Sequence, residues 1–400
     1  MIDLNFLRSA DKCQGILLSR PITRLLAIAT ISDIFIFLNS VLCYSVAINK
    51  SDHHTMKNIL VVFTGGTIGS TATKGSINTV SSAPFKLLEL FEQHDNNHQQ
   101  IHFKTIQPLQ ILSENLAPCV WQTLIAAIEA EQPEHYDGII ITHGTDTLAY
   151  TAAALSFYFN AIKIPLLLVA SDYPLDNPKA NGLDNFSCAV EFIRQQLQSG
   201  VFVPYRNQQH TMQVHKGSRL TCSLQLSGDF FSVQGKSFMQ YEEQAFRLLN
   251  PLIKLIPGDN NTFLGEINHL KARFSDRILM IKPYPGLDYS HFNLENVDAV
   301  LHDLYHSGTA CASTEWGENQ SLLEFIKRCT VQNIKVYLAP SIKSTDAYQS
   351  TRALIGQGAE MIWNMSIEAA YVKLMLAYGN FTDEQQIMGF IDQDIAGEHV

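Results

Sequence analysis

Charge is scarce in this chain and of the wrong sign for nucleic acid. Only 16% of its 400 residues are charged, and 38 acidic against 28 basic side chains leave a formal net charge of −10. A nucleic-acid binder usually presents a basic surface, so nucleic acid is not expected as a partner. Paired cysteine spacings are missing too. Cys13, Cys43, Cys119, Cys188, Cys222, Cys311 and Cys329 contain no C-x-x-C pair, the close spacing that a metal cluster or a disulfide framework would need. Several lie in apolar runs, where a free thiol behaves as a small hydrophobe, and a reducing compartment is expected for the core. The glycine-rich turn Gly65-Gly66-Thr67-Ile68-Gly69 lacks the G-x-G-x-x-G spacing and the glycine-lysine-serine/threonine ending that cradle phosphates. No internal repeat or low-complexity tract appears. What is plentiful is apolar residue, at 46%, enough in a chain of this length for two cores rather than one.

One long apolar run is present, near the start. Leu25 to Ile48 is almost continuously apolar and follows Arg8, Lys12, Arg20 and Arg24. That length spans a bilayer, and the basic flank suits an inside-facing end. Asp33 in the middle costs about 2.5 to 3.5 kcal/mol on insertion scales, which makes a poor span. Ser45-Val46-Ala47 also reads as a small-x-small cleavage site, so an export signal is a second reading. Met56-Lys57-Asn58 directly precedes the first core strand, as a start codon would. Residues 1–55 are therefore read first as a misassigned or dispensable extension, with anchor and signal as alternatives. The expected compartment is the cytoplasm, with anchoring or export through residues 25–48 as the alternative. A membrane is a partner only if that segment works as an anchor.

From Asn58 the pattern is regular. NILVVF (58–63) is a short β-branched apolar run that feeds a Thr-Gly-Gly-Thr turn, and GIIIT (138–142) repeats the arrangement before His143-Gly144-Thr145-Asp146-Thr147. An alanine-rich helix is predicted over 148–159, a third buried strand over 164–170, and a helix over about 185–197. Strands that are apolar throughout, alternating with helices, indicate a parallel sheet covered on both faces. After about Gln234 the pattern loosens. A polar stretch to Phe274 reads as a linker, and a second α/β block follows, with strands near 278–281, 299–301 and 335–339 and a closing helix over 367–378.

Both Thr-bearing turns follow strands, where ligands of parallel α/β sheets gather. Each sets a hydroxyl among glycines whose backbone N–H groups can approach a substrate closely. A threonine hydroxyl attacks only when something takes its proton, and Thr145-Asp146 supplies a second hydroxyl beside a carboxylate. Taken alone, the first turn could be ordinary turn residues and the second a helix N-cap. The combination changes the odds. Thr64-Gly65-Gly66-Thr67-Ile68-Gly69 with His143-Gly144-Thr145-Asp146-Thr147 resembles the asparaginase/glutaminase family. Leu148-Ala149-Tyr150-Thr151-Ala152 through Phe157 resembles its cytoplasmic bacterial subtype. Pro174-Leu175, Gly182, Asn185, Gly217-x-Arg219-x-Thr221, Asp229-Phe230-Phe231, Tyr284-Pro285-Gly286 and Lys373 extend the resemblance across about Met56 to Tyr378.

The resemblance implies an α/β fold with a doubly wound, largely parallel N-terminal domain at 56–245, a linker at 246–275 and a smaller α/β domain at 276–400. It implies homodimers or homotetramers and neither metal nor organic cofactor. The implied reaction is hydrolysis of asparagine, or a related small amide, to aspartate and ammonia. Thr67 is the implied nucleophile, with Thr145 and Asp146 as catalytic partners, though either threonine could attack first. Gly66, Ser113, Gly144, Thr145 and Asp146 are the implied substrate-binding residues, Ser113 for the α-carboxylate and Asp146 for the α-amino group. A transfer-RNA amidotransferase subunit, another branch of this family, is disfavoured because that branch carries an N-terminal β domain, and this N-terminus has no strand-and-turn pattern.

Four positions depart from the family. Cys222 stands where a lysine would complete a Thr-Asp-Lys relay; a thiol brings no permanent positive charge, although a thiolate could serve as a base if its pKa were lowered. The mobile-loop tyrosine falls near Ser76, and no tyrosine occurs from Thr67 to Phe91. Leu112 replaces an aspartate, and Ala180-Asn181-Gly182 has lost the carboxylate of a Ser-Asp-Gly stretch. An active or weakly active amidohydrolase is the preferred reading. The alternative is a catalytically impaired ligand-binding protein of the same fold, with membrane tethering as a further variant.

Overall fold

Strand β1 (Lys57–Phe63) lies deep in an eight-stranded sheet because every residue from Ile59 onward is apolar and buried. The computed structural model describes residues 56–73, 76–79, 83–250 and 270–400. Residues 1–55, with the Leu25–Ile48 run, lie outside the described residues. Among the described residues no helix is long and apolar enough to cross a membrane.

After β1 come the hairpin strands β2 (Ser70–Thr73) and β3 (Ser76–Thr79), helix α1 (Ala83–His94), β4 (Ile101–Ile106) and helix α2 (Pro118–Ala130). Strand β5 (Gly138–Thr142), helix α3 (Leu148–Tyr158), β6 (Pro165–Val169), helix α4 (Gly182–Arg194) and β7 (Gly200–Tyr205) complete the doubly wound part. β8 (Met212–Lys216), β9 (Met239–Glu242) and β10 (Ala245–Leu248) then continue the sheet as antiparallel strands. The order is β10-β9-β8-β7-β6-β5-β1-β4, with β4, β1, β5, β6 and β7 parallel. GIIIT and PLLLV are buried at all positions, as strands covered on both faces must be. β10 carries this sheet to Leu248, slightly beyond residue 245, where the first domain was expected to end. Residues 251–269, most of the expected linker, lie outside the described residues.

The second block is smaller. β11 (Ile278–Ile281), β12 (Ala299–Asp303), β13 (Lys335–Ser341) and β14 (Glu360–Trp363) form one parallel sheet in that order. Helices α5 (Leu322–Val331) and α6 (Gln349–Gly356) intervene, and α7 (Ile367–Asn380) and α8 (Glu384–Asp392) follow. The fold is thus α/β, with a large, mainly parallel sheet and a smaller parallel one.

α3 joins the two sheets. LAYTAAALSFY has no polar face, and Leu148, Ala149 and every residue from Thr151 to Phe157 are buried. A helix apolar all round needs cover on all sides. It is packed beneath the first sheet and against α7, so Leu148, Ala152 and Leu155 share one core with Ala299, Leu301, Ala370 and Leu374. The outer face of the first sheet is covered by α1 and α4, through residues such as Phe91, Phe186 and Phe192. Phe325, Ile326 and Leu354 cover the outer face of the second.

Candidate active site

Three loops close on one another where β1 and β5 end. Gly65 and Gly66 have φ of +106° and +77°, a left-handed backbone open to glycine at little cost. Gly66 N donates to Ile111 O at 3.1 Å and Ile111 N donates to Thr64 O at 2.9 Å, which ties the turn to the segment after β4. A Cβ on Gly66 would fall 2.4 Å from Gly144 N, and one on Gly144 would fall 2.3 Å from Ser113 Oγ. The glycines therefore permit two backbone segments and Ser113 to touch. Thr67 and Thr145 each directly follow one of the two glycines, and both are half-buried. Ile68, 1% exposed, is anchored in the core beside Thr67. Thr64 is occupied elsewhere, since its Oγ1 donates to Thr142 O at 2.5 Å and ties the ends of β1 and β5.

Ser113 opens a 3-10 turn and is itself buried. Its Oγ donates to Asp146 Oδ2 and accepts from Asp146 N, both at 3.2 Å, while Thr147 Oγ1 donates to Ser113 O at 3.0 Å. The α-carboxylate and α-amino candidates are thus neighbours. His143 is buried, and burial pushes its pKa down to about 4 despite the Gly144 carbonyl and the Asp146 charge. The neutral ring donates its Nδ1–H to Gly144 O at 2.7 Å. Gly66, Ser113, Gly144 and Asp146 are brought together, with Thr67 and Thr145 at the same junction.

Cys222 has different company. Its backbone N donates to Glu368 Oε1 at 2.7 Å, in the first turn of α7. Burial first, and then the Glu368 charge, push the thiol up to about 12, while a side-chain bond with Tyr150 works against them. The lowered pKa that a thiolate base would need is not met here, because burial and the Glu368 charge both favour the neutral thiol. Glu368, 6% exposed, went unnoticed in the sequence. Its local signal is only an acidic residue in the first turn of an apolar helix.

Asn181 explains its own departure. Its side chain accepts from Asp172 N at 3.0 Å and donates to Arg206 O at 2.9 Å, while its backbone N donates to Asp172 Oδ1 at 3.1 Å. An ionised carboxylate cannot donate to the Arg206 carbonyl, so the amide suits this junction of loops. Ser76 lies in the β2–β3 hairpin, paired with Thr73, and Leu112 takes an extended conformation just before the Ser113 turn.

Comparison with known proteins places this geometry. Residues 58–249 match the family described as "Asparaginase, N-terminal". The chain is 28% identical over 366 residues to a glutamyl-tRNA(Gln) amidotransferase subunit of Methanococcus maripaludis, covering 88% of this chain and 82% of that protein. The corresponding amidotransferase subunit of Metallosphaera sedula is 27% identical over 368 residues, covering 88% of this chain and 79% of that protein. The branch disfavoured from the N-terminus is thus well represented among the relatives. Among solved structures, the thermostable L-asparaginase of Thermococcus kodakarensis superposes with a TM-score of 0.68 at 25% identity, covering 86% of this chain and 99% of that one. L-asparaginase I of Vibrio cholerae superposes at 0.67 with 24% identity, covering 86% of this chain and all of that one, a likeness of fold. Residues 58–249 are thus similar to an asparaginase N-terminal domain, and the chain carries the asparaginase fold.

Proposed function

We propose that this protein hydrolyses a small amide, asparagine or a close relative, to the acid and ammonia, with Thr67 as the attacking group. The observation that carries the reading is the junction itself, where Gly66 meets Gly144 and Gly144 meets Ser113. Thr67 Oγ adds to the amide carbon, the C–N bond breaks as ammonia takes a proton, and water cleaves the Thr67 ester to regenerate the hydroxyl. Thr145 receives the proton from the attacking hydroxyl or from the water. Asp146 holds the substrate α-ammonium, and the Ser113 hydroxyl, turning from Asp146 Oδ2, donates to its α-carboxylate. No residue set at the junction calls for a cofactor. Cys222, neutral beside Glu368, gives Asp146 no counter-charge, so the rate should fall short of a site with a complete relay.

Homodimers or homotetramers belong to this reading. The cytoplasm remains the proposed compartment, and 56–245 and 276–400 the proposed domains.

A second reading has one observation behind it, the match along 88% of the chain to amidotransferase subunits. In that case ammonia would be handed to a partner polypeptide. Isolating a tagged chain from its own cells separates the two, because a stable second polypeptide supports the subunit reading. The direct test is ammonia release by the purified chain from asparagine, glutamine and related amides, beside Thr67→Ala and Thr145→Ala. Release from one amide, lost in both variants, supports hydrolysis; no release above the Thr67→Ala background from any amide defeats it.

A further inference from the structure

Lys373 lies on α7 with its side chain wholly buried. Its Nζ donates to Ile391 O at 3.0 Å and also to the Gln393 carbonyl and the Glu398 carboxylate. It faces the rings of Phe157 and Phe390 at 5.6 and 5.7 Å. A buried ammonium persists only where all its donors are engaged, and residues 391–398 supply the oxygens. Glu398 in turn folds that segment. Its carboxylate accepts from Ile395 N at 3.3 Å and Ala396 N at 2.8 Å, while its own N donates to Asp394 Oδ1 at 3.0 Å. Val400 N donates to Asn364 O at 2.8 Å. A segment with no regular structure is thereby held in one shape.

That shape turns three carbonyls toward the first sheet. Ser218 Oγ donates to Ala396 O at 2.8 Å, Arg219 Nε donates to Gly397 O at 2.6 Å, and Arg219 also donates to His399 O. Ser218 and Arg219 belong to the 3-10 turn Gly217–Arg219 that leads through Leu220 and Thr221 to Cys222. The turn is pressed on α3 from the other side: a Cβ on Gly217 would fall 2.7 Å from Ser156 Oγ and 3.0 Å from Ala152 O. α3 begins just after Thr145-Asp146-Thr147, and Phe157 near its end is the ring that Lys373 faces.

We propose that residues 393–400, locked by Lys373 and Glu398, are a positioning element that holds the Gly217–Cys222 segment against α3 and α7. Arg219 is the positioning residue through which it acts. The inference rests on the reading that the segment ending at Cys222 belongs to the active site, but its first readout does not require activity.

The probe is a soluble alkylating agent, with the modification of each cysteine followed by mass spectrometry in the full chain. Cys119 and Cys311 are exposed and serve as references, while Cys188 and Cys329 are buried and report global opening. The half-buried Cys222 reports the segment. Arg219→Gln and Glu398→Gln should each raise the Cys222 rate at least about fivefold relative to the references, with Cys188 and Cys329 unchanged. Arg219→Lys, which keeps the charge and one donor, should recover part of the protection. Where amide hydrolysis is measurable, Arg219→Gln should lower kcat more than it raises KM. An unchanged Cys222 rate in Arg219→Gln, or a rise matched at Cys188 and Cys329, overturns the proposal. Loss of protection in a chain that hydrolyses no amide supports the latch while defeating the hydrolase reading.

Discussion

Ser113 Oγ bonds both the carboxylate and the backbone nitrogen of Asp146 at 3.2 Å, two residues 33 apart in sequence that the fold makes neighbours. The hydroxyl orients the carboxylate before any ligand arrives, so little reorganisation is needed on binding. The same hydroxyl lies against Gly144, whose missing side chain makes the contact fit.

Gly144→Ala should therefore act on Ser113 first. Its Cβ would stand 2.3 Å from the hydroxyl oxygen, and overpacking of this kind costs about 1 to 3 kcal/mol. Because misplacement on this scale can cost about 10²-fold in rate, kcat/KM should drop by roughly that factor while the Tm moves by a few degrees. A variant within about threefold of the parent would show that Ser113 does not need its present place.

Thr67→Ala should abolish amide hydrolysis and leave folding nearly intact, since Gly65, Gly66 and the anchoring Ile68 remain. Retention of more than about a tenth of kcat, a barrier change under about 1.4 kcal/mol, rules out Thr67 as the attacking group. Circular dichroism and Tm on the same sample check that only the chemistry has changed.

Cys222→Lys tests the broken relay. Glu368 already sits beside this position, so a new ammonium would find a carboxylate there and would bring the positive charge that the proposed relay lacks. Asparagine hydrolysis should rise by about tenfold or more, partial recovery of the roughly 10²- to 10⁴-fold that a positioned acid–base group contributes, with no loss of Tm. A fall in both kcat/KM and Tm would mean that the pocket has closed round the smaller side chain. Cys222→Ser should change the pH–rate profile little below about pH 10, because the thiol, pushed up to about 12, is already neutral there.

Acid should weaken the fold from near-neutral pH. Burial holds His143, His215 and His302 neutral with pKa values of about 4, below their ordinary 6.5. A lowered histidine means that the unfolded chain binds the proton first. Stability is then complete above about pH 6.5 and is lost as pH falls toward 4, at up to about 1.4 kcal/mol per unit for each group. Asp394, raised to about 7 by burial and the Glu398 charge, has the opposite sign between about pH 4 and 7. His399 is lowered as well, and burial also raises Asp303 and Asp392; four lowered histidines outweigh three raised carboxyls, so denaturant midpoints should fall from about pH 7 to about pH 5. A flat or rising midpoint would contradict the assignment, and His302→Asn should make the slope shallower.

The strand–turn unit before Thr67 and the strand–turn–helix unit around Thr145 were legible because their signals are local. An apolar β-branched run ending in glycine and threonine declares a buried strand and a tight turn within about ten residues. The resemblance to a family likewise rested on those short stretches, and with it came the α/β fold. The polar strands β9 and β10 were not legible, because a strand at a sheet edge depends on the neighbour it pairs with rather than on its own periodicity. The sequence of α3 shows a helix without a polar face, yet only packing reveals that α7 supplies the missing cover. The same holds for Cys222 and Glu368, separated by 146 positions, and for Arg219 and the carbonyl of Gly397, separated by 178. Such pairs obey no spacing rule. The folded chain brings them together, and the low dielectric it creates around them decides which groups stay neutral and which stay charged.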